Sequence, residues 1–157
     1  MTDILTPAQR SRVMSRIRAR DTRLEIWLRK QLFAKGFRYR IHVSTLPGRP
    51  DIVFPKYKAV VLVHGCFWHG HDCNLFRMPS TRTSFWRDKI RSNRERDRRN
   101  IEALREEDWR VLEIWECSWR GKTRQPPHRL VDQVSDWLKH GNTIASIEGR
   151  TEQEITE

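Results

Sequence analysis

Apolar residues recur at three- and four-residue spacings from Leu24 through Trp27 and Leu28 to Leu32, which predicts an amphipathic helix over 21–35 with Gly36 as its stop. Glu25 sits one residue from that stripe, where a carboxylate becomes partly buried. Upstream, Thr6-Pro7 marks a helix start, but only Val13, Met14 and Ile17 are apolar in its later turns, against Arg10, Arg12, Arg16, Arg18 and Arg20. Residues 1–20 therefore read as a basic helix or arm, suited equally to solvent and to lying along phosphates. The period then shortens. Residues 37–43 look strand-like, a Pro- and Gly-bearing turn over 46–50 leads into a strand at 51–54, and 55–58 turns again. Residues 59–63 are apolar on both faces, the mark of a strand buried inside a sheet, and the run ends at His64. In open α/β sheets such a strand end is where ligands commonly sit. A long, strongly charged helix follows over 83–107, then a buried strand over 109–116 and an amphipathic helix over 130–139 carrying Leu130, Val134, Trp137 and Leu138. Residues 141–157 end in acidic and polar residues and read as a flexible acidic tail. The order predicts a single α/β domain, 21–140, with a central mixed sheet flanked by helices.

Composition narrows the partner. Lys and Arg number 31 against 20 Asp and Glu, a formal charge of +11 that favours polyanions, either nucleic acid or an anionic membrane surface. No apolar run is long enough to span a bilayer and the N-terminus lacks a signal-peptide pattern, so the expectation is a cytoplasmic, nucleoid-associated protein with no membrane partner. A plain basic ribosomal or nucleoid protein is the alternative, which the 7 Trp and the many acidic residues argue against. Three cysteines without an export signal point away from disulfides and towards metal ligation.

The candidate chemistry is concentrated in one loop. His64-Gly65-Cys66-Phe67-Trp68-His69-Gly70-His71-Asp72-Cys73 holds two of the cysteines, and Cys117 follows the next buried strand. Cys66, His71, Cys73 and Cys117 would form a closed Cys₃His set, the donor chemistry of structural Zn²⁺. Spacing alone leaves His69 and His71 interchangeable. Asp51 opens a strand and His64 closes the next, so a carboxylate and an imidazole come to adjacent strand ends, where a phosphodiesterase would hold Mg²⁺. An Asp after a Pro-containing turn is otherwise a common turn or cap residue. Phe67 and Trp68, in a glycine-flanked loop between metal-ligand candidates, are placed to cap a core or to wedge into a partner.

The run Leu46-Pro-Gly-Arg-Pro-Asp51, Val63-His-Gly-Cys-Phe-Trp-His69-Gly-His-Asp-Cys73, Thr81-Arg-Thr-Ser-Phe-Trp86, Glu95-Arg-Asp-Arg-Arg99 and Trp109-Arg-Val-Leu…Trp115-Glu-Cys117 resembles the very-short-patch-repair (Vsr) mismatch endonucleases. It covers about residues 8–120 in order. The resemblance implies a restriction-endonuclease-like fold, a variant of the PD-(D/E)xK architecture. It also implies nicking of double-stranded DNA 5′ of the thymine in a T·G mismatch left by deamination of 5-methylcytosine. The implied cofactors are catalytic Mg²⁺ and structural Zn²⁺. By residue, Asp51 matches the Mg²⁺-binding aspartate, His69 the general acid/base, and Glu25 and His64 groups around the water ligands of the metal. Imidazole chemistry near neutrality suits that role for His69 independently. Val63 stands where the family commonly has threonine and contributes its backbone carbonyl to Mg²⁺, and Leu62-Val63-His64 replaces the superfamily's E-x-K, as in Vsr proteins generally. Met14, Phe67, Trp68 and Trp86 match aromatic or apolar residues that enter or border the opened site, and Lys89 and Asn93 match positions near the recognised bases. Arg91, Arg94 and Arg98 would then serve phosphates, although a solvated face explains most members of such a charged run. The implied partners are the mismatched duplex and, functionally, a DNA cytosine-5 methyltransferase and downstream repair proteins. One asymmetric mismatch needs only a monomer. From another class, a zinc-stabilised DNA-binding module without catalysis would use the same aromatic loop and differ at Asp51.

Overall fold

The computed structural model describes Thr6 and residues 22–156. The basic arm expected over 1–20, with Met14, lies outside the described residues. Among those described, four strands form one mixed sheet in the order β1 (Ile52–Phe54), β2 (Ala59–His64), β3 (Arg110–Trp115), β4 (Ile144–Ile147). β1 runs antiparallel to β2, and β2, β3 and β4 are mutually parallel neighbours. The helices are α1 (Arg23–Ala34), α2 (Thr83–Glu106), α3 (Pro127–His140) and a short α4 (Glu152–Thr156).

Strand alternation sorts the core into two layers. Ile52, Phe54, Ala59, Val61, Leu112 and Ile114 share one cluster with Leu24, Leu28 and Leu32 of α1 and with Leu130, Val134 and Leu138 of α3. Val53, Val60, Leu62 and Val111 form the opposite cluster with Leu104 of α2. The sheet is thus covered on both faces, which is why β2 reads as a continuous apolar run. α1 starts as its sequence specifies: the Thr22 hydroxyl accepts from the Glu25 amide (3.3 Å) as an N-cap and donates to the Glu25 carboxylate (3.2 Å), which also fixes the side chain of Glu25.

Three expectations are corrected. Residues 37–43 form no strand; only Arg40 pairs with Val53, and His42 at φ 57° turns the chain out of extension. The stretch over 141–157 is not a loose tail either, since its residues build β4 at the sheet edge and then α4. α3 begins a turn earlier than its apolar spacing suggested, because Pro127 occupies the first helical position and has no N–H to satisfy.

Candidate active site and metal centre

The β1–β2 hairpin and the N-terminal turn of α1 converge on Asp51. Its Oδ2 accepts a 2.7 Å hydrogen bond from the Val63 amide, so the expected partner Val63 is adjacent, through its N–H. Burial, then the charge of Glu25, raises Asp51 from the ordinary 3.8 to about 7, against the lowering effects of the Val63 hydrogen bond and His64. Glu25 is itself buried. Two carboxylates enclosed together leave an excess of negative charge in a corner with oxygen donors, a set that suits a hard divalent cation.

His64 ends β2 and is buried, with Nε2 2.9 Å from Oε2 of Glu113 on β3. Its ring lies 4.4 Å from that of His69 and 4.8 Å from that of Trp115, the residue opposite it in the parallel register. His69 places Nδ1 against Oδ2 of Asp97 on α2. An ionised Asp97 accepts from Nδ1–H, which fixes the tautomer and leaves Nε2 as the basic nitrogen. His64, His69 and Asp97 also bring one potential ligand atom each within 4.8 Å of one another. Asp97 and Glu113 are the members that the sequence reading did not single out. Asp97 continues the inward row Trp86, Ile90, Asn93 at four- and three-residue steps, a signal masked by the arginines around it.

Cys66, His71, Cys73 and Cys117 form the second cluster, their ligand atoms all within 4.8 Å. The ambiguity between the two histidines is thereby resolved in geometry: Nδ1 of His71 lies 3.6 Å from Sγ of Cys117, while His69 belongs to the other group. β2 and β3 are parallel neighbours, so Cys66 and Cys117 leave the same end of the sheet. Within the cluster Cys117 is the acidic thiol, lowered by the hydrogen bond from Cys66, by the Gly149 amide and by His71. The Cys66 thiol is raised in turn, first by that same bond and then by burial. Three sulfurs and one imidazole nitrogen, with one sulfur already biased to thiolate, match the preferences of a tetrahedral zinc ion.

Between the clusters, Phe67 and Trp68 meet edge to face at 5.3 Å, and both contact Trp86, at 5.3 and 5.8 Å. The expected wedge residues therefore pack on one another and on buried Trp86. Asn93, expected near bases, is buried under the loop, where its Nδ2 donates to the Trp68 carbonyl (2.9 Å) and Oδ1 accepts from Arg96. Lys89, one turn earlier, is exposed. Gly70 allows the loop this close: at φ 59° an added Cβ would lie 2.6 Å from Ile90 of α2. A groove of about 550 Å³ runs beside it, lined by Arg87, Arg91, Arg94, Glu95 and Arg98 of α2 together with Phe76, Met78 and Ile90.

An acidic corner at the mouth of a sheet, with His64 beside it and the carboxylate-oriented His69 packed on His64 near an arginine-rich helix, has the chemistry of a hydrolase acting on a polyanionic backbone. Residues 2–75 match the family model described as DNA mismatch endonuclease Vsr. The DNA mismatch endonuclease Vsr of Escherichia coli K12 is 43% identical over 148 residues, 94% of this chain and 95% of that protein. The type II nicking enzyme V.NmeAIP of Neisseria meningitidis is 45% identical over 138 residues, covering 87% of this chain and 99% of its own, and V.XorIIP of Xanthomonas oryzae is 47% identical over 117 residues, covering 74% and 86%. The chain belongs to the Vsr family of DNA mismatch endonucleases. No helix among the described residues is long and apolar enough to cross a membrane.

Proposed function

We propose that this endonuclease nicks double-stranded DNA at a T·G mismatch, hydrolysing the phosphodiester 5′ of the thymine with Mg²⁺, and that its fold is a PD-(D/E)xK variant. The observation that carries the reading is the chain of contacts from His69, oriented by Asp97, through the His64 ring 4.4 Å away to the Asp51–Glu25 corner, beside the loop that carries Phe67 and Trp68. Asp51, with the backbone of Val63 beside it, would hold Mg²⁺, which when bound neutralises charge developing on the phosphate and makes water a better nucleophile. His69 Nε2 exchanges a proton with the attacking water while Asp97 stabilises the imidazolium. Glu113 holds the His64 ring, and Glu25 and His64 order the solvent next to Asp51. Cys66, His71, Cys73 and Cys117 would hold Zn²⁺ in a structural role, keeping the aromatic loop rigid enough to part a base step. A mismatched step costs least to open, and stacking on Phe67 and Trp68, bordered by Trp86, offsets the lost base stacking of about a few kcal/mol. Met14 would approach from the other groove, Lys89 would lie near the bases with Asn93 behind the loop holding the Trp68 carbonyl, and the α2 arginines would take phosphates. A DNA cytosine-5 methyltransferase and repair proteins acting after the nick are the functional partners, and a monomer suffices.

The test is a pair of otherwise identical duplexes, one with T·G and one with T·A, incubated with purified protein and Mg²⁺. A single nick 5′ of the mismatched thymine, absent from the T·A control, is expected; equal cutting of both would refute the specificity. On the T·G duplex, Asp97→Asn is expected to lower the single-turnover rate about 10²-fold and to alter its pH profile, because the carboxylate that sets the His69 tautomer is lost. Duplex affinity, measured by fluorescence anisotropy, should stay within a few-fold.

A further inference from the structure

The Cys/His cluster has a partner that its four residues do not include. Nε2 of His71 lies 2.8 Å from Oε1 of Glu148, on the opposite side of the ring from Nδ1, which faces the Cys117 sulfur at 3.6 Å. The ring is also stacked on Trp115, with centroids 4.1 Å apart and planes at 14°. One residue on, the Gly149 amide donates to Sγ of Cys117 (3.3 Å). The segment that makes both contacts is itself pinned: the Gln125 side-chain amide donates to the Glu148 carbonyl (2.7 Å), and the Arg150 amide donates to the Thr123 carbonyl (2.7 Å). It leaves the sheet directly from β4, the strand that pairs with β3.

We propose that Glu148 is a positioning residue of the metal centre, fixing His71 in the tautomer that presents Nδ1 to Zn²⁺, and that β4 serves to deliver it. This rests on the zinc reading given above. A neutral imidazole carries one N–H; a carboxylate accepting from Nε2–H places the lone pair on Nδ1, where the three sulfurs are, and a metal-ligating histidine characteristically donates its other N–H to such a group. Trp115 fixes the ring plane and Glu148 fixes its rotation, so ligand direction is set before the metal arrives. The Gly149 N–H plays the matching part for Cys117, fixing the direction of its sulfur by donating to it. The centre thus draws its ligands from the 66–73 loop and the end of β3, and its supporting hydrogen bonds from the C-terminal segment.

The experiment uses the full chain as wild type, E148A and E148Q. Zinc content is measured after gel filtration, zinc affinity by competition with a chromogenic chelator, and the His71 tautomer by ¹⁵N NMR of the imidazole. Glu148 has a largely exposed side chain, 56%, so both variants should fold, which circular dichroism checks. E148A is expected to bind zinc about 10–100-fold more weakly. E148Q, whose amide oxygen still accepts from Nε2–H, should stay within a few-fold of wild type with the same tautomer. Wild-type affinity in E148A, or a loss in E148Q equal to that in E148A, would overturn the proposal. A wild-type chain that takes up no zinc would instead overturn the zinc reading beneath it, so the two failures are distinguishable.

Discussion

Asp51→Asn is expected to abolish nicking, by about 10³-fold or more, and at the same time to stabilise the metal-free protein at alkaline pH. The first effect follows from replacing the anionic oxygen donor that would hold Mg²⁺ with a neutral amide. The second follows from the burial of Asp51 next to Glu25, which raises its carboxyl from 3.8 to about 7. A raised acid binds its proton more tightly in the folded chain than in the unfolded one, so the contribution of Asp51 to stability is greatest below about pH 4, falls as pH rises through the window from about 4 to 7, and levels off above it. At about 1.4 kcal/mol for each tenfold change, the rise amounts to on the order of 4 kcal/mol as an upper bound. The substituted amide would keep an oxygen for the Val63 N–H and carry no charge, so the variant should gain most at pH 8 and nothing at pH 4. Thermal melts in chelator at both pH values, with and without added Mg²⁺, test this. Mg²⁺ should raise the wild-type melting temperature at pH 8 and leave the variant unmoved. A variant that melts lower than wild type at pH 8 would show that the Asp51 carboxylate is not a source of strain.

Stripping zinc should have the largest effect on stability. The four candidate ligands join the 66–73 loop to the end of β3, and the Gly149 amide and Glu148 bring in the chain beyond β4. Ligation at such a junction contributes folding free energy directly, and a structural zinc can be worth about 10 kcal/mol in small domains. Even a fraction of that lowers the midpoint by roughly 10 °C or more for a chain of this size. Cys117→Ser should reproduce the loss, because it replaces a buried sulfur ligand with a neutral hydroxyl that Zn²⁺ binds poorly. Scanning calorimetry with and without a strong chelator reads the difference; an unchanged midpoint in chelator, with zinc verified absent, would remove the structural role.

Much of this architecture is written in local periodicity. α1 follows from the stripe Leu24, Leu28, Leu32 and its Thr22–Glu25 cap, and β2 from an unbroken apolar run, because each pattern is imposed by burial against a neighbour. β4 was illegible for the same reason in reverse. It lies at the sheet edge with Ile144 exposed and only Ile147 buried, so no alternation marks it. Residues 37–43 look extended because Phe37, Tyr39, Ile41 and Val43 alternate, yet a single left-handed residue at His42 ends the pairing, and tertiary context overrides propensity there. At the site, residue types clustered along the chain were readable: the Cys and His of one loop, and Asp51 after its turn. Asp97 and Glu113 were not, since a carboxylate in a charged helix or a buried strand acquires a direction only when the histidine it serves arrives from 28 or 49 residues away.

Asn93 and Asp97 stand one turn apart on α2, the first gripping the Trp68 carbonyl and the second the His69 ring. The aromatic residues and the imidazole are therefore mounted on the same rigid strut, with no hinge between them. For anyone evolving this scaffold towards a different lesion, substitutions that reseat Trp68 will also move His69. Variants with altered preference should emerge slow, and recovering speed will call for second changes along that helix face rather than in the loop.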